Sequence, residues 1–553
     1  MIYPKIPLAQ SIIELCLAKG VTQIIISPGS RNAPLTIGFV NNPNFKCFSI
    51  ADERCAAFFA LGIAQQTGKA VAVVCTSGSA LLNYYPAFSE AFYSQIPFVV
   101  ISADRPQSKI DIGDGQTIRQ ENVYKNHSLY NANLTEQSSL ENDLKINAAI
   151  DTALFQKGPV HINAPFEEPL YETVEDLSVA VKVTSFENEP FEIEEAVLDE
   201  KAKIWNNSSK KLVLVGVNGP NQIDEKIIEF LAKDPSVIVM TETTSNLHHP
   251  NFISNIDTII TPFTVNDFVD FQPEILITFG GMIVSKRVKA FLRKYKPQHH
   301  WHIDSFRAYD TFGSLTHHFI QDPNTFFNNF IPLIKKVEST YFSKIAKVVL
   351  VRAQRTDDYL KKITFSDFVA FDKVMTNLPH NSQLQISNSS AIRYAQLIAI
   401  DPSIEVFCNR GTSGIDGSTS TAIGAALVNG KQTTLITGDI SFLYDSNALW
   451  NNYMMPNFKI VIINNGGGGI FRILPGHQES PVFNTFFETS HQLTAEHLSR
   501  MYDLEYYSSF DSDDLELTLP RFFRENDKPA ILEIFTPTLD NDKILLQFFK
   551  ELI

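Results

Sequence analysis

Two groups of polar residues follow consecutive apolar runs towards the C-terminal end of the chain. Gly438-Asp439 comes after the run 433–437, and Asn464-Asn465 follows the run 459–463 and opens a stretch of four glycines. Each run is too short for a helix, and the segment between them is long enough to be one, which is typical of a βαβ unit. Because the carboxyl ends of parallel strands meet at one edge of a sheet, we expect Asp439 and Asn465 to lie close together.

The chemistry that these side chains suit is the binding of a divalent cation. An Asp and an Asn offer two hard oxygen ligands, and a backbone carbonyl of the glycine run would add a third, which suits Mg²⁺ or Mn²⁺. A helix predicted to begin near Ser441 would point its first amides into the same crevice, where a phosphate would be stabilised. Taken singly, each motif is also an ordinary turn sequence, and that structural alternative stays open.

The first and last parts of the chain look like two copies of one α/β unit, related by an offset of 362 residues. Matching pairs include Gly62 with Gly424, Gly68 with Gly430, and Lys69 with Lys431. Strand and helix periodicities can also align by chance, so an unrelated pair of units remains an alternative. Under this offset Ser77 stands where Asp439 is, and Glu53 stands where Ile415 is. The first copy would then lack the metal-binding carboxylate and carry a different one.

Length and composition limit the class of protein. A chain of 553 residues is too long for one core, and 44% hydrophobic with 19% charged residues is typical of a soluble globular protein. The formal net charge of −15 argues against nucleic acid as a partner. The N-terminal sequence predicts neither a secretory signal nor a membrane span. Five scattered cysteines without a Cys-x-x-Cys pair indicate reduced thiols, and therefore the cytoplasm.

Alternating strand and helix patterns predict an α/β protein with three doubly wound parallel-sheet domains. We place the first domain at residues 1–180, an acidic linker at 181–200, a central domain at 201–345 and a third domain at 346–553. Polar loops follow the strands of the first domain. They contain Ser30 and Arg31, Thr76 to Ser79, and Asp104 to Pro106.

The Gly438-Asp439-x-Ser441 sequence, with Asn465 placed 26 residues after Asp439, resembles the diphosphate-binding motif of thiamine diphosphate enzymes. The resemblance implies that thiamine diphosphate is the cofactor and that Asp439, Asn465 and the carbonyl of Gly467 bind the metal. It also implies that Glu53 hydrogen-bonds the aminopyrimidine ring and that Ile415 holds the cofactor bent. The family places its cofactor between the first domain of one subunit and the third of another, so we expect a homodimer at least. Further cofactor-binding residues on this basis are Ser77, Gly78, Asn388, Gly414, Ile440, Ser441, Gly468, Ile470 and Phe471.

Four loop sequences narrow the resemblance to one family. They are Ser27-Pro-Gly-Ser-Arg-Asn32, Ala103-Asp-Arg-Pro106, Gln116-x-Ile-Arg-Gln120 and Asn409-Arg-Gly-Thr-Ser-Gly-Ile-Asp-Gly417, and together they resemble the 2-succinyl-5-enolpyruvyl-6-hydroxy-3-cyclohexene-1-carboxylate synthases of menaquinone biosynthesis. The resemblance implies decarboxylation of 2-oxoglutarate and 1,4-addition of the resulting four-carbon unit to isochorismate. The catalytic residues that it implies are Glu53, Ser30, Arg31 and Gln116. The substrate-binding residues that it implies are Arg31, Arg105, Gln116, Lys286, Arg287, Ser389, Arg393 and Arg410.

The basic residues fit this function, because guanidinium groups bind carboxylates in bidentate pairs and both substrates carry two carboxylates. Each of them alone could equally form a salt bridge, and Lys286-Arg287 could simply begin a helix. Two alternative functions remain at this point. One is another thiamine diphosphate enzyme, such as an acetolactate synthase or a 2-oxoacid decarboxylase. The other is a non-catalytic nucleotide-binding protein, although no Gly-x-Gly-x-x-Gly follows a strand in the right place.

Overall fold

The computed structural model describes residues 1–185, 191–473, 476, 478–525 and 527–553. Three parallel sheets follow one another along the chain, and each has a hydrophobic cluster on both faces. Alternate residues of one strand serve opposite clusters, as Ile24 and Ile25 show in the first sheet. The predicted α/β class with three doubly wound parallel-sheet domains is confirmed. No helix in the described ranges is long and apolar enough to cross a membrane.

The first sheet has the strand order β3-β2-β4-β5-β7-β6, with every pair parallel. A short antiparallel pair, β1 with β8, lies apart from it. The strands are β1 (Tyr3–Pro4), β2 (Gln23–Ile26), β3 (Lys46–Ser49), β4 (Val71–Cys75), β5 (Phe98–Asp104), β6 (Tyr130–Asn133), β7 (Pro159–Pro165) and β8 (Thr173–Val174). The helices are α1 (Pro7–Ala18), α2 (Ala33–Val40), α3 (Glu53–Thr67), α4 (Ala80–Asn83), α5 (Tyr85–Ser94) and α6 (Leu140–Phe155).

The central sheet has the order β10-β9-β11-β12-β13 and is also parallel throughout. Its strands are β9 (Lys211–Val215), β10 (Val237–Thr241), β11 (Ile275–Phe279), β12 (His299–Ile303) and β13 (His317–Phe319). Its helices are α7 (Glu195–Asn207), α8 (Glu225–Ala232), α9 (Ile256–Ile260), α10 (Val265–Phe271), α11 (Lys286–Lys294) and α12 (Pro323–Phe330). The longest helix, α13 (Tyr341–Leu360), leads from this sheet to the third.

The third sheet has the order β15-β14-β16-β17-β19-β18, again all parallel. Its strands are β14 (Gln383–Ile386), β15 (Glu405–Phe407), β16 (Thr433–Gly438), β17 (Phe458–Asn464), β18 (Glu505–Ser509) and β19 (Ala530–Phe535). The helices are α14 (Asp367–Thr376), α15 (Ser390–Ala395), α16 (Ser418–Asn429), α17 (Asp439–Tyr444), α18 (Ile470–Ile473), α19 (Pro481–Phe483), α20 (Glu496–Met501), α21 (Ser512–Phe522) and α22 (Asn541–Glu551).

Helices α3 and α16 pack closely against each other and join the first domain to the third. A Cβ added to Gly62 would lie 2.1 Å from the backbone oxygen of Thr421, and one added to Gly424 would lie 2.0 Å from that of Phe59. Only glycine at both positions allows the two backbones to approach this closely. The contact is reciprocal under the 362-residue offset, and the first and third sheets share one strand order. Both observations support the predicted repeat.

Two predicted details differ from the structure. Helix α7 begins at Glu195, inside the segment predicted as a linker, because Leu198 and Trp205 pack into the central core. Residues 186–190 of that segment lie outside the described residues. The helix predicted between β16 and β17 is not continuous: α17 ends at Tyr444, and a separate turn of 3-10 helix follows at Ser446–Leu449. The buried carboxylate of Asp445 accepts hydrogen bonds from Ser420 at this break, which ties the chain to α16.

Candidate functional site

A cavity of about 180 Å³ lies at the carboxyl ends of β16 and β17. Both Asp439 and Asn465 line it, as expected of residues that follow neighbouring parallel strands. Most of the predicted cofactor-binding residues of the third domain share this cavity: Asn388, Ile415, Ile440, Ser441, Gly467, Gly468, Ile470 and Phe471. Ser389, predicted to bind substrate, lines it as well. The structure therefore gathers residues from four separate loops around one space.

The Asp439 carboxylate is held by backbone amides on two sides. Its Oδ1 accepts from the amide of Ile440 at 2.7 Å, and its Oδ2 accepts from the amides of Gly466 and Gly467 at 2.9 and 3.0 Å. The imidazole Nε2 of His491 lies 3.3 Å from the same Oδ2, and this interaction raises the pKa of His491. His491 is a residue that sequence reasoning missed, because nothing in its own neighbourhood marks it.

The side chain of Asn465 is oriented by a second buried carboxylate, that of Asp367 at the start of α14. The Asn465 Nδ2 donates to Asp367 Oδ2 at 2.9 Å, and Thr536 Oγ1 donates to Asp367 Oδ1 at 2.5 Å. Burial raises the pKa of Asp367 to about 6. Asp367 lines the cavity too, but its distance from Asn465 in sequence gave no indication of the contact.

The loop 409–415 contributes Ile415 to the cavity and is fixed by hydrogen bonds from both sides. Asn388 Nδ2 donates to the carbonyls of Asn409 and Gly414 at 2.8 and 2.7 Å, and Ser441 Oγ donates to the carbonyl of Ile415 at 3.0 Å. On the far side the buried carboxylate of Glu90, in α5, accepts from the amides of Gly411 and Thr412 at 2.7 and 2.6 Å. Glu90 was not predicted, although it reaches this loop from a different domain.

The glycine run lines the cavity, and a buried ion pair lies next to it in the chain. Arg472 Nη2 donates to Glu488 Oε2 at 2.8 Å, and the amide of Gly468 donates to the carbonyl of Glu488 at 2.6 Å. The ion pair ties the short helix α18, which carries Ile470 and Phe471, to the segment around Glu488. Sequence reasoning missed this pair as well.

Two predicted arginines contact residues that line the cavity, although neither arginine lines it. Arg410 Nη1 donates to Asn388 Oδ1 at 2.6 Å, and Arg393 Nη1 donates to the carbonyl of Ser389 at 2.6 Å. Ser389 has a φ of +68°, a strained value for a residue with a side chain. Burial and the neighbouring charge of Arg410 lower the pKa of Arg393. Two close guanidinium groups of this kind form a suitable place for an anionic ligand.

Lys286 and Arg287 lie further out, at the start of α11 in the central domain. Both are exposed, and the Arg287 guanidinium lies 4.6 Å from the ring centre of Phe549. The α11 start is fixed by Glu242, whose buried carboxylate accepts from the amides of Val284 and Ser285 at 2.7 Å each. Lys286 and Arg287 thus form the first turn of α11, and neither lines the cavity.

The predicted residues of the first domain form a separate group. Ser77 Oγ donates to the carbonyl of Gln116 at 3.0 Å, Gln116 Nε2 donates back to the carbonyl of Ser77 at 3.3 Å, and the amide of Gly78 donates to Gln120 Oε1 at 2.9 Å. Arg31 is buried, and its guanidinium donates to Glu168 and to the carbonyl of Phe166, each at 3.0 Å. Ser30, beside it, is exposed, and Arg105 is half-buried at the end of β5.

Glu53 belongs to this first-domain group and begins α3. Its predecessor Asp52 caps the helix by accepting from the amide of Cys55. Glu53 is half-buried and accepts from Asn83 Nδ2 at 3.3 Å. No first-domain residue lines the cavity in the described part of the chain. Within one chain, Asp439 therefore lines the cavity and Glu53 does not.

The donor set of the cavity fits a hard divalent cation. It offers the carboxylate of Asp439, and it offers the amide oxygen of Asn465, because the nitrogen of that amide is engaged with Asp367. The glycine run adds backbone carbonyls, and no cysteine is among the residues that line the space. Oxygen ligands of this kind suit Mg²⁺ or Mn²⁺ better than softer metals.

Comparisons with known proteins cover the whole chain. The family model described as "Thiamine pyrophosphate enzyme, N-terminal TPP binding domain" matches residues 6–128, and "Middle domain of thiamine pyrophosphate" matches residues 184–385. Three proteins named 2-succinyl-5-enolpyruvyl-6-hydroxy-3-cyclohexene-1-carboxylate synthase are similar over nearly their full length. The protein of Flavobacterium johnsoniae is 70% identical and that of Flavobacterium psychrophilum 68% identical, each with 100% of both chains covered. The protein of Porphyromonas gingivalis is 37% identical, with 97% of this chain and 96% of its own covered.

Proposed function

The chain belongs to the thiamine diphosphate-dependent 2-succinyl-5-enolpyruvyl-6-hydroxy-3-cyclohexene-1-carboxylate synthases of menaquinone biosynthesis, and we propose on that premise that it joins 2-oxoglutarate to isochorismate with loss of CO2. The observation that carries the proposal is the cavity of the third domain. Its lining includes the cation ligands Asp439 and Asn465, and Arg393 and Arg410 hydrogen-bond to two further lining residues, Ser389 and Asn388. The cation would serve the diphosphate of the cofactor, and the arginines would serve the carboxylates of the substrates.

Asp439, Asn465 and the carbonyl of Gly467 would hold Mg²⁺ or Mn²⁺. The cation would neutralise the diphosphate of the cofactor. The amides of Ile440, Gly466 and Gly467 already donate to the Asp439 carboxylate, so they would hold this cation ligand in place. Asn388 and Gly414 would keep Ile415 in place against the body of the cofactor.

When bound, thiamine diphosphate supplies a thiazolium carbon that can stabilise the negative charge left on the substrate by decarboxylation. Glu53 would hold a hydrogen bond to the aminopyrimidine ring and move the proton there. Ser30 and Gln116 lie near Arg31 and Ser77 in the same first-domain group, where they would orient the reacting substrate. Ile470 and Phe471 would exclude water from the cavity.

The basic side chains would bind the substrate carboxylates. Arg393 and Arg410 contact residues that line the cavity, so they would bind the carboxylate nearest to the cofactor. Arg31 and Arg105 would contribute from the first domain, in which case the contact of Arg31 with Glu168 would be exchanged for one with substrate. Lys286 and Arg287 are exposed in this chain and would bind the substrate carboxylate that lies furthest from the cofactor.

We further propose that the active unit is at least a homodimer. The cavity of one chain contains third-domain residues, and Glu53 would reach it from the first domain of a second copy. A mixture of the Glu53→Gln and Asp439→Ala variants tests this arrangement. If sites form between chains, random exchange of equal amounts of the two inactive variants makes about half of the dimers mixed, and one of the two sites in each mixed dimer is intact. The mixture should therefore recover about a quarter of the wild-type activity. No recovery after subunit exchange would contradict it.

We also propose limits for the three domains and a cellular compartment. We take residues 1–180 as the pyrimidine-binding domain, 201–345 as the central domain and 346–553 as the diphosphate-binding domain, and helix α7 extends the central domain back to Glu195. Helix α13 crosses the last limit, since Tyr341 packs with the central core and Tyr359 with the third. The five cysteines are free thiols, which is consistent with a place in the cytoplasm.

The experiment that tests the function has two stages. Calorimetric titration of thiamine diphosphate with Mg²⁺ should show binding in the wild type and its loss in Asp439→Ala. Product analysis with 2-oxoglutarate, with and without isochorismate, then separates the proposed reaction from a simple decarboxylation. Undiminished cofactor affinity in Asp439→Ala would contradict the metal assignment, and an unchanged product pattern on adding isochorismate would contradict the substrate assignment.

A further inference from the structure

Asp367 lines the cavity and contacts one of the proposed cation ligands. Its carboxylate is 3% exposed and has two hydrogen-bond donors, Asn465 Nδ2 on one oxygen and Thr536 Oγ1 on the other. Its backbone amide donates to Asn541 Oδ1 at 2.8 Å, which fixes the start of α14. The carboxylate therefore has a defined position that owes nothing to a bound ligand.

The consequence for Asn465 is chemical. An amide side chain has one end that accepts and one that donates, and the two ends have nearly the same shape. Only the oxygen end can bind a cation, and an Asn turned by half a rotation would present two N–H groups to it. A carboxylate has no proton to donate when ionised, so Asp367 selects the orientation in which Asn465 Nδ2 points away from the cavity.

Other contacts of Asn465 do not select the orientation of its side-chain amide, so a partner such as Asp367 is needed. The carbonyl of Asn465 accepts from Thr538 Oγ1 at 2.7 Å, which fixes the backbone but not the side-chain amide. In the described part of the chain, the hydrogen bond to Asp367 is the one directed contact of the Asn465 amide group. The orientation of the ligand thus depends on a residue 98 positions earlier in the chain.

We propose that Asp367 is a positioning residue for the cation, which sets the oxygen of Asn465 towards the metal. The inference rests on the proposed function, in which Asp439 and Asn465 bind Mg²⁺ or Mn²⁺. Partners that orient a metal ligand in this way typically change metal affinity about 10- to 100-fold when they are removed.

The test measures the Mn²⁺ concentration that half-saturates the protein at a fixed concentration of thiamine diphosphate, by electron paramagnetic resonance. Asp367→Ala should raise this concentration about 10- to 100-fold. Thr536→Val is the matched control, since it removes the other hydrogen bond of the same carboxylate and leaves the contact with Asn465. It should keep the wild-type Mn²⁺ affinity even if its melting temperature falls. Equal Mn²⁺ affinity in Asp367→Ala and the wild type would overturn the proposal.

A second variant keeps the test decisive if Asp367→Ala does not fold. The double variant Asp367→Asn with Asn465→Asp reverses the pair, so that an amide again donates to a carboxylate and an oxygen again faces the cavity. We expect it to bind Mn²⁺ close to the wild-type level, whereas Asn465→Asp alone places two carboxylates together. A double variant that binds as weakly as Asp439→Ala would overturn the positioning role. If Asp439→Ala itself bound Mn²⁺ normally, the failure would instead lie with the proposed metal site.

Discussion

Glu242 offers a test of how burial sets the stability of the central domain. Its side chain is 3% exposed, and burial raises its pKa from 4.5 to about 7 despite hydrogen bonds from the amides of Val284 and Ser285. The folded state therefore binds a proton more tightly than the unfolded state. The stability that this group contributes is fully present below pH 4.5 and is lost as the pH rises through 7.

The size of the effect follows from the shift. Each pKa unit corresponds to about 1.4 kcal/mol, so the shift of Glu242 corresponds to about 3 kcal/mol between pH 4.5 and pH 8. For a domain of this size the loss amounts to about 6 to 12 °C in melting temperature. Glu242→Gln cannot ionise, and its NH2 group would face one of the two backbone N–H donors, which lowers stability by the same amount at every pH. We expect its melting temperature to lack the fall between pH 4.5 and pH 8 that the Glu242 carboxyl contributes in the wild type.

Tryptophan fluorescence is a suitable assay, because two of the three tryptophans, Trp205 and Trp301, are fully buried in the central domain. The third, Trp450, is 57% exposed and lies in the third domain. Glu229→Gln serves as the control, since this half-buried carboxylate pairs with Lys233, which lowers its pKa. Its melting temperatures should follow the wild type at every pH. Parallel pH profiles for Glu242→Gln and the wild type would refute the reasoning.

Three further outcomes are expected. Glu53→Gln should slow hydrogen exchange at C2 of bound thiamine diphosphate by about 10² to 10⁴-fold without a change in melting temperature; wild-type exchange would remove Glu53 from the proton transfer. Arg393→Ala should raise the KM for 2-oxoglutarate, with a loss of about 2 to 5 kcal/mol in kcat/KM and unchanged cofactor affinity by calorimetry; a parallel loss of cofactor binding would mean a structural role. Gly62→Ala should lower stability by about 1 to 3 kcal/mol in thermal melts, because its Cβ meets the Thr421 oxygen; Gly115→Ala, with open space around it, is the control that should not.

The sequence was sufficient to predict the sheets because their apolar runs are short, regular and separated by polar loops. Strands β16 and β17 cover the apolar runs 433–437 and 459–463, since local hydrophobic pattern decides where a buried strand begins and ends. The meeting of Asp439 and Asn465 in one cavity followed from the handedness of a single βαβ unit. These features depend on neighbours along the chain.

The contacts that fix the site could not be read in the same way. Asp367 reaches Asn465, and Glu90 reaches Gly411, across separations of 98 and 321 residues. A lone Asp or Glu in a helix is a common feature, so no local pattern separates these carboxylates from solvent-exposed ones. The break after Tyr444 was missed for the same reason, because it depends on the contact of Asp445 with Ser420.

The reciprocal contact of α3 with α16 has an evolutionary consequence. Gly62 meets Thr421 as Gly424 meets Phe59, so the two halves of one chain touch as the two subunits of a symmetric dimer would. In a dimer of identical domains every substitution appears twice, once on each side of the axis. After fusion of two such domains into one polypeptide, a substitution in one domain no longer appears in the other. The two glycines can then stay the same at the shared contact while the other positions of the two halves diverge. Ser77 and Asp439, which are equivalent under the 362-residue offset, are such a pair, because only one half carries the aspartate.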